Sequence, residues 1–301
     1  MIRAFLIYKR ITMYKINSLL KVFVAYTVAI FFSILFVSSL DVSPIYKVLY
    51  ADIIATIIIY LFSYYYSNSS IYDPYWSIIP PFILLYFMYS SNIYNISSFI
   101  IMFSVLFWSL RLTFNWIRGW TGLDHEDWRY IDMRNYSKKY FQFSNFLGIH
   151  LFPTLIVYIC CIPMKSALNK QFYNFSFVIG FILCFIGVIY EIISDQQLYK
   201  FKKNNKNKII DKGLWKYSRH PNYYGEILFW WGLFFYGVTP ENFHVLIFAP
   251  ISMTIMFIYV SIPWIENKIL RTRPEYKDYR KKVSMLMPEV LFIKENFFNK
   301  S

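Results

Sequence analysis

The sequence predicts an all-α, polytopic membrane protein, and three observations carry that prediction. Of its 301 residues, 57% are hydrophobic and only 16% charged, too apolar a balance for an ordinary soluble domain of this length. Seven apolar runs, residues 21–40, 45–66, 76–89, 97–116, 146–164, 175–193 and 245–265, approach the roughly 20 residues that a helix needs to cross a bilayer. An eighth, 223–238, is shorter and fits a tilted or re-entrant segment. Finally, Lys and Arg outnumber Asp and Glu 31 to 17, and the excess falls on alternate connections, as the positive-inside rule requires. The expectation is a helical bundle of about seven to eight membrane segments.

Taken in order, a basic N-terminal arm over residues 1–20 (Arg3, Lys9, Arg10, Lys15) precedes a single membrane domain over 21–301. No small-residue cleavage site follows the first apolar run, so it is expected to be a retained span and not a signal peptide. The arm and connections 117–145, 194–222 and 266–301 carry most of the charge, while 41–44, 90–96 and 239–244 carry almost none. Both termini are therefore expected in the cytosol, with Lys165 and Lys170 on the opposite side. This basic charge follows topology, which argues against a nucleic-acid partner, and it gives the cytosolic mouth a polarity suited to an anionic cofactor. Cys160, Cys161 and Cys184 form no disulfide framework and no metal spacing. HExxH and CxxC motifs are absent, so no metal is expected. A Rossmann glycine fingerprint is absent too, and any dinucleotide must bind in another way.

Ile, Phe, Tyr, Asn and Lys, whose codons are rich in A and T, crowd the chain, so aromatic stripes are read as lipid-facing or core surface. Clusters of Gly, Trp, Arg and His stand out against that background. Four of the nine glycines (Gly213, Gly225, Gly232, Gly237) and three of the nine tryptophans (Trp215, Trp230, Trp231) fall in or just beyond GLWKYSRHPNYYGEILFWWG, residues 213–232. A second concentration is WIRGWTGLDHEDWRY, residues 116–130.

In the first block Pro221 disfavours helix at His220, so a helix is expected to start at Pro221 with free N–H groups and a partial positive charge at its mouth. Arg219 can fork onto phosphate or carboxylate, Asn222 can pair with a planar amide, and Glu226 follows one turn on. The alternative is an interfacial cap with Arg219 reaching headgroups. Glu191 and Asp195, four apart, share one helical face; they could hold ribose hydroxyls or pair with lysines of the next loop. Lys200 and Lys202 lie close enough to that helix end to reach a phosphate, and Arg271, Arg273 and Tyr276 follow the last apolar run. His125 could be a general base, although a lone loop histidine is more often structural. In YDPYWSIIPP, Asp73 and Tyr75 could polarise or protonate a substrate oxygen; equally, Asp73 could cap a helix and Trp76 anchor it at the interface.

The 213–232 block, with Glu191 and Asp195 before it and RPEYKDYRKKVSMLMP (273–288) after it, resembles the C-terminal domain of membrane steroid 5-alpha-reductases. It is most similar to a multi-span subgroup that also carries a block like RGWTGLDHEDWRY. The resemblance extends over about residues 111–288, within a core taken as 97–290. It implies NADPH held in a cavity opening to the cytosol. By that resemblance Asn222 and Glu226 contact the nicotinamide amide or ribose. Asp195, Arg219 and Tyr223, with His220 of the same motif, line the cofactor channel, and Arg271 and Tyr276 close on the adenosine phosphates. Position 191 departs from the family, where Asn is usual. The family's substrate-polarising Glu and Tyr fall in the first half, where Asp73 and Tyr75 stand in for that catalytic role.

The activity so implied is hydride transfer to an electron-poor carbon–carbon double bond of a hydrophobic lipid such as a sterol, polyprenyl or fatty acyl group, within membrane lipids. The family's usual address is the endoplasmic reticulum, although the C-terminal FFNKS is not a retention signal. The RHPxYxG core also resembles membrane methyltransferases that use S-adenosylmethionine. Those follow the last span with two adjacent glutamates, whereas here Glu266 precedes Asn267, and they lack the HEDWRY block. A non-catalytic scaffold is the third reading; the retained Arg219 and Glu226 argue against it.

Overall fold

A computed structural model describes residues 2–205 and 208–286, with side chains from Thr12 onward. Arg3, Lys9 and Arg10 of the basic arm and the C-terminal FFNKS lie outside the described side chains. The described residues are helical throughout, apart from turns and one isolated parallel bridge between Ser218 and Ser284. The chain divides into two compact units, Met1–Leu168 and Asn169–Ser301.

The first unit begins with α1 (Ile2–Ser38) and α2 (Pro44–Tyr65). Pro44 sits in the first turn of α2, where its missing N–H costs nothing. A short 3₁₀ turn, Ser69–Ile71, follows, with the Asn68 side chain accepting from Ser70 N. Next come α3 (Tyr75–Ser91) and α4 (Ile96–Gly119). Asn95 and Ser98 form a reciprocal capping box that starts α4, and Asp127 caps α5 (Trp128–Ser137) by accepting from Arg129 N. The chain then runs through α6 (Phe141–Ser144) and a π-helical turn (Asn145–Leu151) into α7 (Phe152–Ala167). Small residues let α1 and α2 close on one another: Ala25 and Ala29 join Val22 and Tyr26 of α1 in one core with Ala55 and Ile59 of α2.

The second unit comprises α8 (Phe175–Asn204), α9 (Pro221–Gly237), α10 (Phe243–Leu246), α11 (Phe248–Met256), a π-helical turn (Phe257–Ser261), α12 (Ile262–Thr272) and α13 (Tyr276–Lys282). Its central feature is the α8–α9 pair, which meets backbone to backbone. A Cβ on Gly187 would lie 2.6 Å from the Gly225 carbonyl, and one on Gly180 would lie 2.8 Å from the Gly232 carbonyl. Residues 180 and 187 on α8, and 225 and 232 on α9, are each seven apart, two helical turns, so both contacts fall on one seam. The glycines of the 213–232 block are thus explained by packing.

Six helical stretches are long and apolar enough to cross a membrane: Thr12–Ser38, Pro44–Tyr65, Ile96–Gly119, Trp128–Ala167, Phe175–Asn204 and Phe243–Thr272. They take in six of the expected seven to eight segments. The expected segments 76–89 and 223–238 correspond to α3 and α9, 17 residues each, about 26 Å of helix at 1.5 Å per residue and short of the other six. Within the six, between 28% and 44% of each apolar window is buried inside the protein. Most of the remaining side chains face outward, which suits lipid and not water. An open, wholly apolar groove of about 590 Å³ lined by Val28, Phe32, Ile58 and Phe62 runs along α1 and α2.

The seam makes a direct prediction. Gly187→Ala and Gly225→Ala should each destabilise the detergent-solubilised protein by about 1–3 kcal/mol through overpacking, overriding the roughly 1 kcal/mol by which Ala favours a helix. Gly119→Ala, where a Cβ would meet nothing within 4 Å, should not. Thermal unfolding of the three variants checks this.

Candidate functional site

Two buried polar clusters stand out, one in each unit. The cluster in the second unit is built on the start of α9. His220 has φ −137° and ψ 61°, outside the helical range, and Pro221 takes the first helical position, so the chain enters α9 as Pro chemistry dictates. The centre is Glu266 on α12, only 2% exposed. Its Oε1 lies 2.8 Å from Arg219 Nε, 3.0 Å from His220 Nε2 and 3.1 Å from the donating Tyr276 hydroxyl. Oε2 lies 3.3 Å from Arg280 Nε. The Arg219 Nε contact is an ion pair without hydrogen-bond alignment, while Arg219 Nη1 donates to the carbonyls of Arg280 at 2.7 Å and Val283 at 3.1 Å. Arg219 is therefore turned inward onto protein groups.

Burial holds the His220 imidazole below its usual range, against the pull of Glu266. A carboxylate can only accept, so the ring places its N–H on Nε2. The same ring stacks on Tyr223, with centroids 5.6 Å apart and planes 13° from parallel, and Tyr223 leans on Phe257 of the second π-helical turn at 4.9 Å. A strap of α13 and the residues after it lies along the approach to α9. Arg219 N donates to Ser284 O at 2.9 Å, Ser284 Oγ to Tyr217 O at 3.2 Å, and the Tyr279 hydroxyl to the carbonyls of Trp215 and Ser218.

Of the cofactor residues expected from the sequence, the fold thus brings Arg219, His220, Tyr223 and Tyr276 together. Asn222 is half-buried in the first turn of α9. Glu226 is buried one turn on, with Oε1 accepting from Trp230 Nε1 at 3.1 Å. Asp195 is half-buried on α8 and shares an electrostatic neighbourhood with Lys202 and Arg273. Arg273 Nη1 also donates to Lys208 O at 3.3 Å. Arg271 is exposed in the last turn of α12.

In the first unit the turn 68–75 is stitched to loop 120–130. Asn68 Nδ2 donates to the carbonyls of Leu123 at 2.8 Å and His125 at 3.0 Å, Ser69 N to Glu126 Oε1 at 2.9 Å, and Asp127 N to Ser70 Oγ at 2.8 Å. His125 enters through its carbonyl. Asp73 accepts from the Tyr130 hydroxyl and lies 3.4 Å from Arg129 Nη2, which in turn holds Asp127 through Nε at 2.8 Å. Burial pushes the Asp73 carboxyl up to about 6, with Arg129 pulling it down. Tyr75 goes elsewhere: it is 2% exposed and donates at 2.5 Å to Asp52 Oδ1 of α2. Asp52 is also 2% exposed, and its Oδ2 has no hydrogen-bond partner.

Sequence reasoning missed Asp52 and Glu266 as site residues. The signal was present in both: each is an acid embedded in or ending an apolar helix, where an ionisable group marks function or a named partner.

Fold and clusters together define a polytopic, all-α membrane protein with buried clusters of ionisable groups. Residues 59–283 match the family described as protein of unknown function DUF1295, and the chain belongs to that family. The match takes in Asp73, Tyr75 and the whole Glu266 cluster and begins after Asp52. A Schizosaccharomyces pombe protein described as uncharacterized is 26% identical over 253 residues, covering 74% of this chain and 73% of that protein. No solved structure matches the chain.

Two outcomes are expected. Glu266→Ala strands the buried Arg219 charge and should cost about 3–5 kcal/mol of unfolding free energy, whereas replacing both partners by apolar residues should recover most of it; denaturant titration in detergent reads this. Asp73, raised in the folded state from 3.8 to about 6, binds its proton more tightly folded than unfolded. Its contribution is therefore present below pH 4 and lost as pH rises towards 6, by up to about 3 kcal/mol. Relative to wild type, Asp73→Asn should flatten the fall in melting temperature across that window.

Proposed function

We propose that this protein is an NADPH-dependent membrane reductase that delivers hydride to a conjugated carbon–carbon double bond of a hydrophobic lipid. The observation that carries this reading is the convergence of Arg219, His220 and Tyr276 on Glu266, with Tyr223 stacked beside them. These are residues that the likeness to steroid 5-alpha-reductases assigns to the cofactor. Their inward bonds make a rigid rim, and Asn222 follows it in the first turn of α9. Lys202, Arg271 and Arg273 are cations suited to the phosphates, and Glu226 and Asp195 are acceptors suited to ribose or carboxamide. Bound NADPH would supply the hydride.

Tyr75 is the acid of this proposal. A phenol held by a buried carboxyl group can polarise a substrate carbonyl and stabilise the enolate that forms there, so Asp52 takes the place first given to Asp73. The substrate is expected to be a lipid because six stretches of the chain suit the bilayer interior. The proposal includes the endoplasmic reticulum as address, by resemblance, and cytosolic termini, by the positive-inside rule.

A second reading, methyl transfer from S-adenosylmethionine, draws on one observation. Glu266, which stands where those methyltransferases begin their glutamate pair, is the residue that engages Arg219 and His220.

Thermal unfolding titrated with NADPH, NADH and S-adenosylmethionine separates these readings. At about 100 times its dissociation constant a ligand of the folded state adds roughly 2.7 kcal/mol. NADPH should raise the melting temperature, and the Asn222→Ala, Arg273→Ala variant should lose most of the rise. A response to S-adenosylmethionine alone would transfer the assignment to the methyltransferase, and no response to any of them would favour a scaffold.

A further inference from the structure

The first unit contains a chain of buried hydroxyls that the cofactor reading does not use. Thr56 lies one turn from Asp52 on the same face of α2, and it belongs to the electrostatic surroundings of the Tyr75 phenol that Asp52 holds. Thr56 Oγ1 is 2.8 Å from Thr154 Oγ1 of α7, and Thr154 Oγ1 is 2.8 Å from the Tyr72 hydroxyl. Thr154 also donates to the His150 carbonyl at 2.8 Å. Tyr72, Thr154, Thr56 and Tyr75 are each no more than 3% exposed. The chain runs from the Tyr72 hydroxyl through Thr154 to Thr56, one turn from Asp52.

Asp52 sits within a span, and none of the cations among the described residues pairs with it. The group in contact with it is Tyr75, and Tyr72, Tyr158 and Cys161 are the titratable groups in its electrostatic neighbourhood. A carboxyl in such surroundings, with one oxygen unpartnered, is most stable carrying a proton. A hydroxyl both donates and accepts, so a line of them can pass a proton without any group becoming permanently charged.

We propose that Tyr72, Thr154 and Thr56 form a proton relay that refills the Tyr75–Asp52 pair, with the Tyr72 hydroxyl as its outer end. This deepens the reading of Tyr75 as the acid and rests on it. When Tyr75 gives its proton to substrate, Asp52 replaces it, and one proton then enters at Tyr72. Each oxygen in turn gains one O–H bond and releases another, with Thr154 rotating off the His150 carbonyl to do so. The hydroxyls end as they began, and the net transfer is one proton from water to Asp52.

Infrared spectroscopy of the full chain in lipid nanodiscs tests this without any substrate. The protonated Asp52 carbonyl band, identified by its loss in Asp52→Asn, shifts as its proton exchanges for deuterium after transfer to D₂O. Thr154→Val and Tyr72→Phe should slow that shift by about tenfold or more, because exchange then waits for local opening of the helices. Thr154→Ser should restore the wild-type rate. Exchange as fast as or faster than wild type in both broken-relay variants overturns the relay, and so does an Asp52 with no protonated band. A variant that merely loosens the helices exchanges faster, opposite in sign to the expected result. The readout needs no cofactor, so failure to bind NADPH leaves it standing, and failure here leaves the cofactor proposal untouched.

Discussion

A carboxylate removed from water must be met by other groups, and Glu266 shows how much of a fold that requirement can organise. One oxygen draws Arg219, His220 and Tyr276 to it and the other draws Arg280. The start of α9, α12 and α13 are therefore tied together through this side chain, and the bonds of Arg219 and Tyr279 along the strap add to that tie. Such a cluster is strong only when complete, because removing one member leaves the others buried and unpaired. That property suits a rim whose geometry must not drift.

The rim rests on a second constraint of a different kind. In lipid there is little hydrophobic gain from bringing helices together, so close backbone packing has to supply it. Gly180 and Gly187 against Gly232 and Gly225 do so, and they hold α9 along α8. The residues nominated for the cofactor, from Asp195 on α8 to Glu226 on α9, sit along this same pair. Packing and polarity are thus written into one stretch: in RHPNYYGE the Arg and His serve the cluster, the Pro starts the helix and the Gly makes the seam. The two π-helical turns, Asn145–Leu151 and Phe257–Ser261, fall beside the two polar clusters, where such insertions re-aim side chains.

Much of this was legible in the sequence, and the rest was hidden for physical reasons. Apolar runs located the helices, α3 and α9 among them, although these two are shorter than the six stretches long enough to cross a membrane. Pro221 announced the start of α9, and the glycine cluster announced something about that helix without saying that it was packing. The partner of Arg219 was hidden: its chemistry allows a phosphate or carboxylate fork, and the carboxylate it meets is Glu266, 47 positions away in sequence, farther than any spacing rule reaches. Asp73 and Tyr75, two residues apart, looked like one site. The fold sends Asp73 to Tyr130 and Arg129, and Tyr75 to Asp52. A lone acid inside an apolar run was the signal for Asp52, and it was easily taken for a simple interruption of the span.

The central claim is that this protein moves a hydride onto a lipid double bond, and isotope transfer tests it most directly. Purified protein in nanodiscs would be given NADPH deuterated at the transferring position together with extracted membrane lipids and a panel of lipid enones, and the lipids read by mass spectrometry. The account predicts a reduced lipid carrying one deuterium at the β carbon, lost in Tyr75→Phe. Unlabelled lipids throughout, or label arriving only as methyl groups from S-adenosylmethionine supplied in parallel, would contradict it.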